Sequence, residues 1–440
     1  MGRSFCKDTF VTGFALFAMF FGAGNLIFPP YLGWSSASNW FLGFLFFILM
    51  DVGLSLVALL VIAKLGGGPL CLARRLGRVP ALLLVSAAGI CIGPLIAVPR
   101  TAATTFAFGV EPLFPQVNSW VFSVAFFLVV ILLAIRQSKA VDIIGAVLAP
   151  VMLVVLAILI ACGVASPLGT VSGSVPSAQV VREGVKAGYQ TMDMMGVILL
   201  AMAVTVSVQQ KGYRDHRQQR RMITWSGLLS AVCLFAVYAG LAYLGATVSA
   251  AYQGPISQAD LLIAITSGLL GRTGTVLLGI VVAFACLTTA IGLISAAASL
   301  FQELSGGRLG YQALVVSLSA VSCLISNVGI SAIIAFAAPI LDLIYPVLVV
   351  LVALGIFDAR IRSDRVFRAA SAGALAASAL TMAETGLGLD LGMKWMPLAS
   401  LGFGWVLPAA AMGLAAAVLD FYKASRLPGP SGNARPSANE

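Results

Sequence analysis

Charge is scarce in this 440-residue chain. Asp, Glu, Lys and Arg together make up 10% of it, against about 25% in a typical soluble domain. That shortage excludes a soluble globular protein, and the 60% hydrophobic content and mean hydropathy of +1.03 agree. Long polar blocks are also missing, which leaves no room for a Rossmann unit, a P-loop domain or a nucleic-acid module. Histidine is almost absent: His216 is the only one, and there is no H-E-x-x-H motif and no Cys/His cluster. An intramembrane metalloenzyme would therefore lack its ligands. The seven cysteines (Cys6, Cys71, Cys91, Cys162, Cys233, Cys286, Cys323) are odd in number, lack C-x-x-C spacing and mostly lie in apolar runs. They read as small packing residues rather than disulfides or metal ligands.

What is present is a succession of apolar runs at about 9–34, 40–63, 80–108, 119–136, 142–165, 187–209, 222–247, 273–303, 310–327, 330–356, 366–386 and 400–421. At roughly 20 residues per crossing they predict an all-α integral membrane protein of about twelve transmembrane helices. Barrel strands of about 10 alternating residues are not seen. The first run, Phe10 to Tyr31, is longer than a signal-peptide core and has no small-residue cleavage site in a sensible position, so it reads as the first spanning helix.

The net charge of +10 belongs to this topology, not to nucleic acid, because Lys and Arg hold loops on the cytoplasmic side. With the N-terminus inside, most of the 26 basic residues fall in cytoplasmic segments, including Arg74, Arg75, Arg136, Lys139, Arg220, Arg221, Arg365 and Lys423. Only Arg182, Lys186, Arg272 and Lys394 face the other side, and Arg100 lies within a span. Both termini are thus expected in the cytoplasm. The tail 428–440, rich in Pro, Gly, Ser and Asn, is expected to be disordered.

Two spans carry signs of interruption. In span 1, Gly22, Ala23, Gly24 and Asn25 are followed by Pro29 and Pro30. Glycine permits irregular backbone and proline lacks the donor that continues a helix, so the helix is expected to unwind there. In span 6, Gly188 to Gly196 contains Thr191, Met192 and Asp193, an ionisable group with no adjacent cation in sequence. A charge in a spanning segment marks a functional site by default, although an interfacial or structural aspartate is the plainer reading. The two spans are five apart, which suggests halves of opposite topology. Disrupted helices at matching positions point to the binding site of a transporter, where exposed N–H groups suit a carboxylate and exposed C=O groups suit a cation. An amino acid carried with a metal ion would fit such ends.

Span 8 places Ala285, Thr288 and Thr289 on one helix face. Hard oxygens of this kind suit a small cation such as sodium, although membrane threonines also bond back to their own helix. Arg100 in span 3 follows Gly93-Pro94 and Pro99. It reads equally as a gate element or a structural pair, with Asp193 as one candidate partner. Asp51 and Asp342 divide in the same way, with a structural role favoured for Asp51. Nothing resembles a channel selectivity filter, and His216, in a loop, can serve no membrane proton relay.

At these residues the chain resembles a known family, the bacterial branched-chain amino acid:cation symporters of the BrnQ (LIVCS) type. That family lies within the amino acid-polyamine-organocation superfamily, with its LeuT-like fold. The resemblance is carried by Gly13 to Pro30, Gly93 to Ala102, Gly188 to Asp193, Ala285 to Gly292 and Pro339 to Pro346.

The resemblance implies a 5+5 inverted repeat with interrupted helices 1 and 6 and two additional C-terminal helices. Repeat one is then about 9–165, repeat two about 187–356 and the extra helices about 366–421, within a transporter domain of 1–427. It implies a secondary transporter, not an enzyme. Leucine, isoleucine and valine would enter across the bacterial inner membrane by sodium symport, with sodium as coupling ion and no resident cofactor. Sodium would lie at Ala18, Phe21, Ala285, Thr288 and Thr289. The substrate carboxylate would meet Gly22, Ala23, Gly24 and Asn25, and its ammonium would face Thr191, Met192 and Asp193. Proton coupling or another cargo within the superfamily is the alternative. One methylene discriminates only about 10- to 200-fold, so a ranking of the three substrates is not readable.

Overall fold

A computed structural model describes residues 2–68, 70–135, 149–252, 254–388 and 390–426, and all regular structure among them is helical. Arg136, Lys139, the start of the fifth expected span and the tail 428–440 lie outside the described residues. Span 1 folds as α1 (Gly2–Phe20) and α2 (Ala23–Ser36), and span 2 as α3 (Trp40–Ile48) and α4 (Leu54–Leu65). Span 3 gives α5 (Arg78–Ile90) and α6 (Ala97–Thr105), followed by α7 (Ser119–Ala134) and α8 (Ala149–Ala165). Span 6 gives α9 (Ser177–Thr191) and α10 (Asp193–Gln210). The remainder is α11 (His216–Thr247), α12 (Gln258–Leu304), α13 (Tyr311–Ser326), α14 (Ile330–Ile356), α15 (Asp364–Leu387) and α16 (Val406–Arg426).

Seven helical stretches among the described residues are long and apolar enough to cross a membrane. Spans 1 and 6 are divided by their breaks. The breaks are short: Phe21 and Gly22 alone separate α1 from α2, and Met192 alone separates α9 from α10. Met192 takes a left-handed conformation at φ 69°, which costs a non-glycine residue on the order of 1 kcal/mol and is typical of functional sites.

Three expectations require correction. The unwinding expected from Gly22 towards Pro29 and Pro30 is confined to Phe21 and Gly22, and both prolines lie inside α2. The backbone there is clamped against α11: a Cβ on Gly245 would meet Pro30 O at 1.8 Å, and one on Gly33 would meet Ala242 O at 1.9 Å. Close small-residue packing of this kind holds a helix whose own ladder proline has thinned. The sixth span begins earlier than residue 187, at Ser177, because Val180, Val181, Gly184, Val185 and Gly188 form a buried stripe along an otherwise polar segment. The last helix starts at Val406 rather than near 400, after a short turn over Ala399–Leu401.

Two further distortions position the centre. Leu49–Gly53 forms a wide π-type turn that carries Asp51 inward, a feature common at functional sites. Gly93, at ψ −106°, kinks span 3 ahead of Arg100. In α12 the chain turns at Gly271, so its long second arm matches expected span 8. Arg75 ties the α4–α5 connection to the α14–α15 connection. It reaches Asp364 at 2.7 Å, Asp358 at 3.1 Å and Ile361 O at 2.7 Å, with the Phe367 ring 4.2 Å away.

Candidate functional site

The two breaks face each other in the middle of the helix assembly, and buried polar groups converge between them. Asn25, in the first turn of α2, is 1% exposed. Its side-chain amide donates to Asp193 Oδ2 at 2.7 Å and to the Tyr238 hydroxyl at 2.6 Å, and lies 3.4 Å from Asp51 Oδ2. The Thr191 hydroxyl is 2.8 Å from Asp51 Oδ1 and 2.6 Å from Gly188 O. Residues from α2, the π-type turn, α9, α10 and α11 are thereby joined through one network. A buried polar network of this size rigidifies its surroundings only when its members are satisfied, which these bonds achieve.

Arg100 lies beside this network and not within it. Its guanidinium donates to Gln190 O at 2.7 Å and to Thr191 O at 3.3 Å, the carbonyls at the end of α9. It also packs against α2, because a Cβ on Gly24 would come within 2.7 Å of Arg100 Nη2. A direct ion pair with Asp193, the one candidate partner named for Arg100, is not formed: no salt bridge joins them within 4.0 Å, since the guanidinium is committed to the helix end. Arg100 Nε remains buried without a partner. Asp342 is exposed on α14.

The oxygens expected to hold a cation also meet at the first break. Thr288 Oγ1 is 2.9 Å from Ala285 O and 3.5 Å from Ala18 O. Thr289 faces the break directly, since a Cβ on Gly22 would lie 3.2 Å from Thr289 Oγ1. That hydroxyl is buried and has no hydrogen-bond partner. Most other membrane threonines here, such as Thr205 and Thr266, bond back to their own helix at 2.7 and 2.9 Å. An unpaired buried hydroxyl costs roughly 1–3 kcal/mol, so Thr289 is poised for an additional ligand. Phe21, whose N–H bonds Phe17 O at 2.7 Å, lies between the two helices of span 1.

Between the breaks is a cavity of about 30 Å³, room for a water or two. It is lined by Gly22, Ala23, Asn25, Thr191, Met192, Asp193 and Thr289, with Arg100 at its edge and Met19, Ile92, Leu200 and Leu293 as its apolar wall. Amino acids are larger than this, so the site as it stands is closed. Sequence reasoning missed Tyr238 and the apolar wall. A tyrosine inside a long apolar helix carries no local signal, and its bond to Asn25 spans 213 positions.

Comparisons with known proteins agree with this architecture. The family model described as branched-chain amino acid transport protein matches residues 5–423. A branched-chain amino acid transport system 2 carrier protein of Pseudomonas aeruginosa is 34% identical, covering 94% of this chain and 96% of the relative. The branched-chain amino acid permease BraB of Bacillus subtilis is 35% identical over 94% and 95%, and the permease BrnQ of Escherichia coli is 31% identical over 94% and 96%. Among solved structures, a Na+-coupled sialic acid symporter aligns with a TM-score of 0.59 at 12% identity, covering 93% of this chain and 90% of its own. A nucleobase-cation-symport-1 family transporter aligns at 0.58 and 13% identity, over 94% and 93%. The fold is therefore the LeuT-like one, with its paired broken helices, and the chain belongs to the branched-chain amino acid transport protein family.

Proposed function

We propose that the chain carries leucine, isoleucine and valine into the cell by sodium symport, alternating between outward-open and inward-open states. The observation that carries this reading is the unpartnered Thr289 hydroxyl. It lies by Gly22 at the break before α2, next in sequence to Thr288, whose own hydroxyl is 2.9 Å from Ala285 O and 3.5 Å from Ala18 O. In this reading sodium binds to Ala18, Phe21, Ala285, Thr288 and Thr289 as cargo. Its charge then strengthens the pull of the α2 N-terminus on the substrate carboxylate at Gly22, Ala23, Gly24 and Asn25. The ammonium faces Thr191, Met192 and Asp193. The branched side chain lies against Met19, Ile92, Leu200 and Leu293, gaining about 0.8 kcal/mol per buried CH₂.

About twelve crossings, with both termini in the cytoplasm and the protein in the inner membrane, complete the proposal. Repeats over 9–165 and 187–356 would rock around the fixed midplane site, with the helices over 366–421 alongside. Replacement of Thr289 by the nearly isosteric valine tests the cation site. Thr289→Val is expected to raise the sodium concentration for half-maximal leucine uptake by about tenfold or more, the effect of losing one ligand worth roughly 1.4 kcal/mol. An unchanged sodium dependence with normal expression contradicts the assignment.

A further inference from the structure

Among the described residues Arg100 is the one buried Lys or Arg, 4% exposed. It is also the one charged side chain there with a buried nitrogen that lacks a hydrogen-bond partner. Two of its donors are spent on neutral groups, Gln190 O and Thr191 O at the end of α9. A cation suits the end of a helix, and bracing α9 accounts for that side of the guanidinium. The other side is unused. Nε and Nη2 of an arginine share one edge and present two parallel N–H groups, the fork that matches a carboxylate. Here Nε has no partner, and Nη2 reaches Thr191 O only at 3.3 Å. A Cβ on Gly24 would come within 2.7 Å of Nη2, so this edge meets α2 in its first turn, where a helix has N–H groups without partners of their own.

The charges across the cavity agree. Arg100 and Asp193 are both buried and line the same hollow, yet no salt bridge joins them within 4.0 Å. Asp193 and Asp51 are turned to the amide of Asn25, and Arg100 to the carbonyls of α9. Buried charges that face only neutral groups are costly until a counter-charge arrives. A simple anion would pair Arg100 and leave Asp193 alone, and a simple amine would do the reverse. A zwitterion, with carboxylate and ammonium on one carbon, supplies a partner to each.

We propose that Arg100 is a carboxylate-binding residue of the transport site, whose Nε–Nη2 edge holds the substrate's α-carboxylate together with the first N–H groups of α2. Its remaining donors stay on the end of α9. The inference rests on the amino-acid transport reading and adds to it the side chain that selects for the carboxylate. One residue of span 3 then ties the end of α9 to the start of α2 through the substrate.

The test is thermal protection of the purified full-length protein in detergent and sodium, titrated with leucine or with leucinamide. Leucinamide keeps the ammonium and the branched side chain and lacks the carboxylate charge. The parent is expected to bind leucine at least about 10- to 150-fold more tightly than leucinamide, the range for hydrogen bonds to a charged group. In Arg100→Gln the ratio should fall by about tenfold, through weaker leucine binding and little change for leucinamide. Arg100→Lys keeps a cation against the α9 carbonyls but has no fork, and should lose at least about threefold of the ratio. The lysine variant decides alone if the glutamine variant does not fold. Equal weakening of both ligands, or a ratio unchanged from the parent, overturns the proposal and leaves Arg100 as a brace for α9. So does a parent protected equally by leucine and leucinamide, with the branched-chain reading still standing. Protection of the parent by neither ligand contradicts the branched-chain reading, and this role with it.

Discussion

At Asp193 a carboxylate, the Asn25 amide and the start of a helix meet within hydrogen-bond distance. Its carboxylate accepts from Asn25 at 2.7 Å, and the residue lines the central cavity. Asp193→Asn keeps the shape and removes the charge that, in the proposed function, faces the substrate ammonium. Leucine uptake should fall by at least about tenfold, a loss of roughly 1.4 kcal/mol or more. Uptake at the parent rate in proteoliposomes of matched protein content would return Asp193 to a structural role. Asn25, Thr191 and Asp193 were legible in the sequence because polar residues among apolar runs stand out. Tyr238 was not, because tyrosine is common in membrane helices and only the fold brings its hydroxyl to Asn25. Asp51 was visible but favoured as structural; its contact with Thr191 joins residues 140 positions apart.

The helices that carry these residues depend on close backbone contact. Gly245 on α11 and Gly33 on α2 leave no space for a methyl group against the carbonyls of Pro30 and Ala242. Gly245→Ala must push α2 away from α11 and should cost on the order of 1–3 kcal/mol, the usual penalty of overpacking. A lowered midpoint of thermal unfolding in detergent, with weakened uptake, is the expected result. A variant as stable as the parent would show that the contact is not tight. The existence of both breaks was readable from glycine, proline and polar residues at membrane depth. Their exact extent was not, because Pro29 and Pro30 widened the stretch expected to unwind, and packing against α11 carries the helix through them. The early start of α9 was equally hidden, since its polar face outweighs the buried valine stripe when composition alone is read.

As a whole the molecule is a closed transporter: its central cavity of about 30 Å³ is far below the roughly 300 Å³ at which ligand pockets begin. Substrate can enter only after helices around the breaks have moved. Fold and family were legible from the order of apolar runs and the motifs at the breaks, because those features repeat along the chain. The approach of span 1 and span 8 was legible only through the family resemblance, because Ala18 and Thr288 meet only when 270 residues fold back. The measurement that tests the account most directly is accumulation of labelled leucine in proteoliposomes of the purified protein under an inward sodium gradient, an inward proton gradient, or neither. The account predicts uphill accumulation with sodium alone, competed by isoleucine and valine. Accumulation driven by protons in the absence of sodium would contradict it.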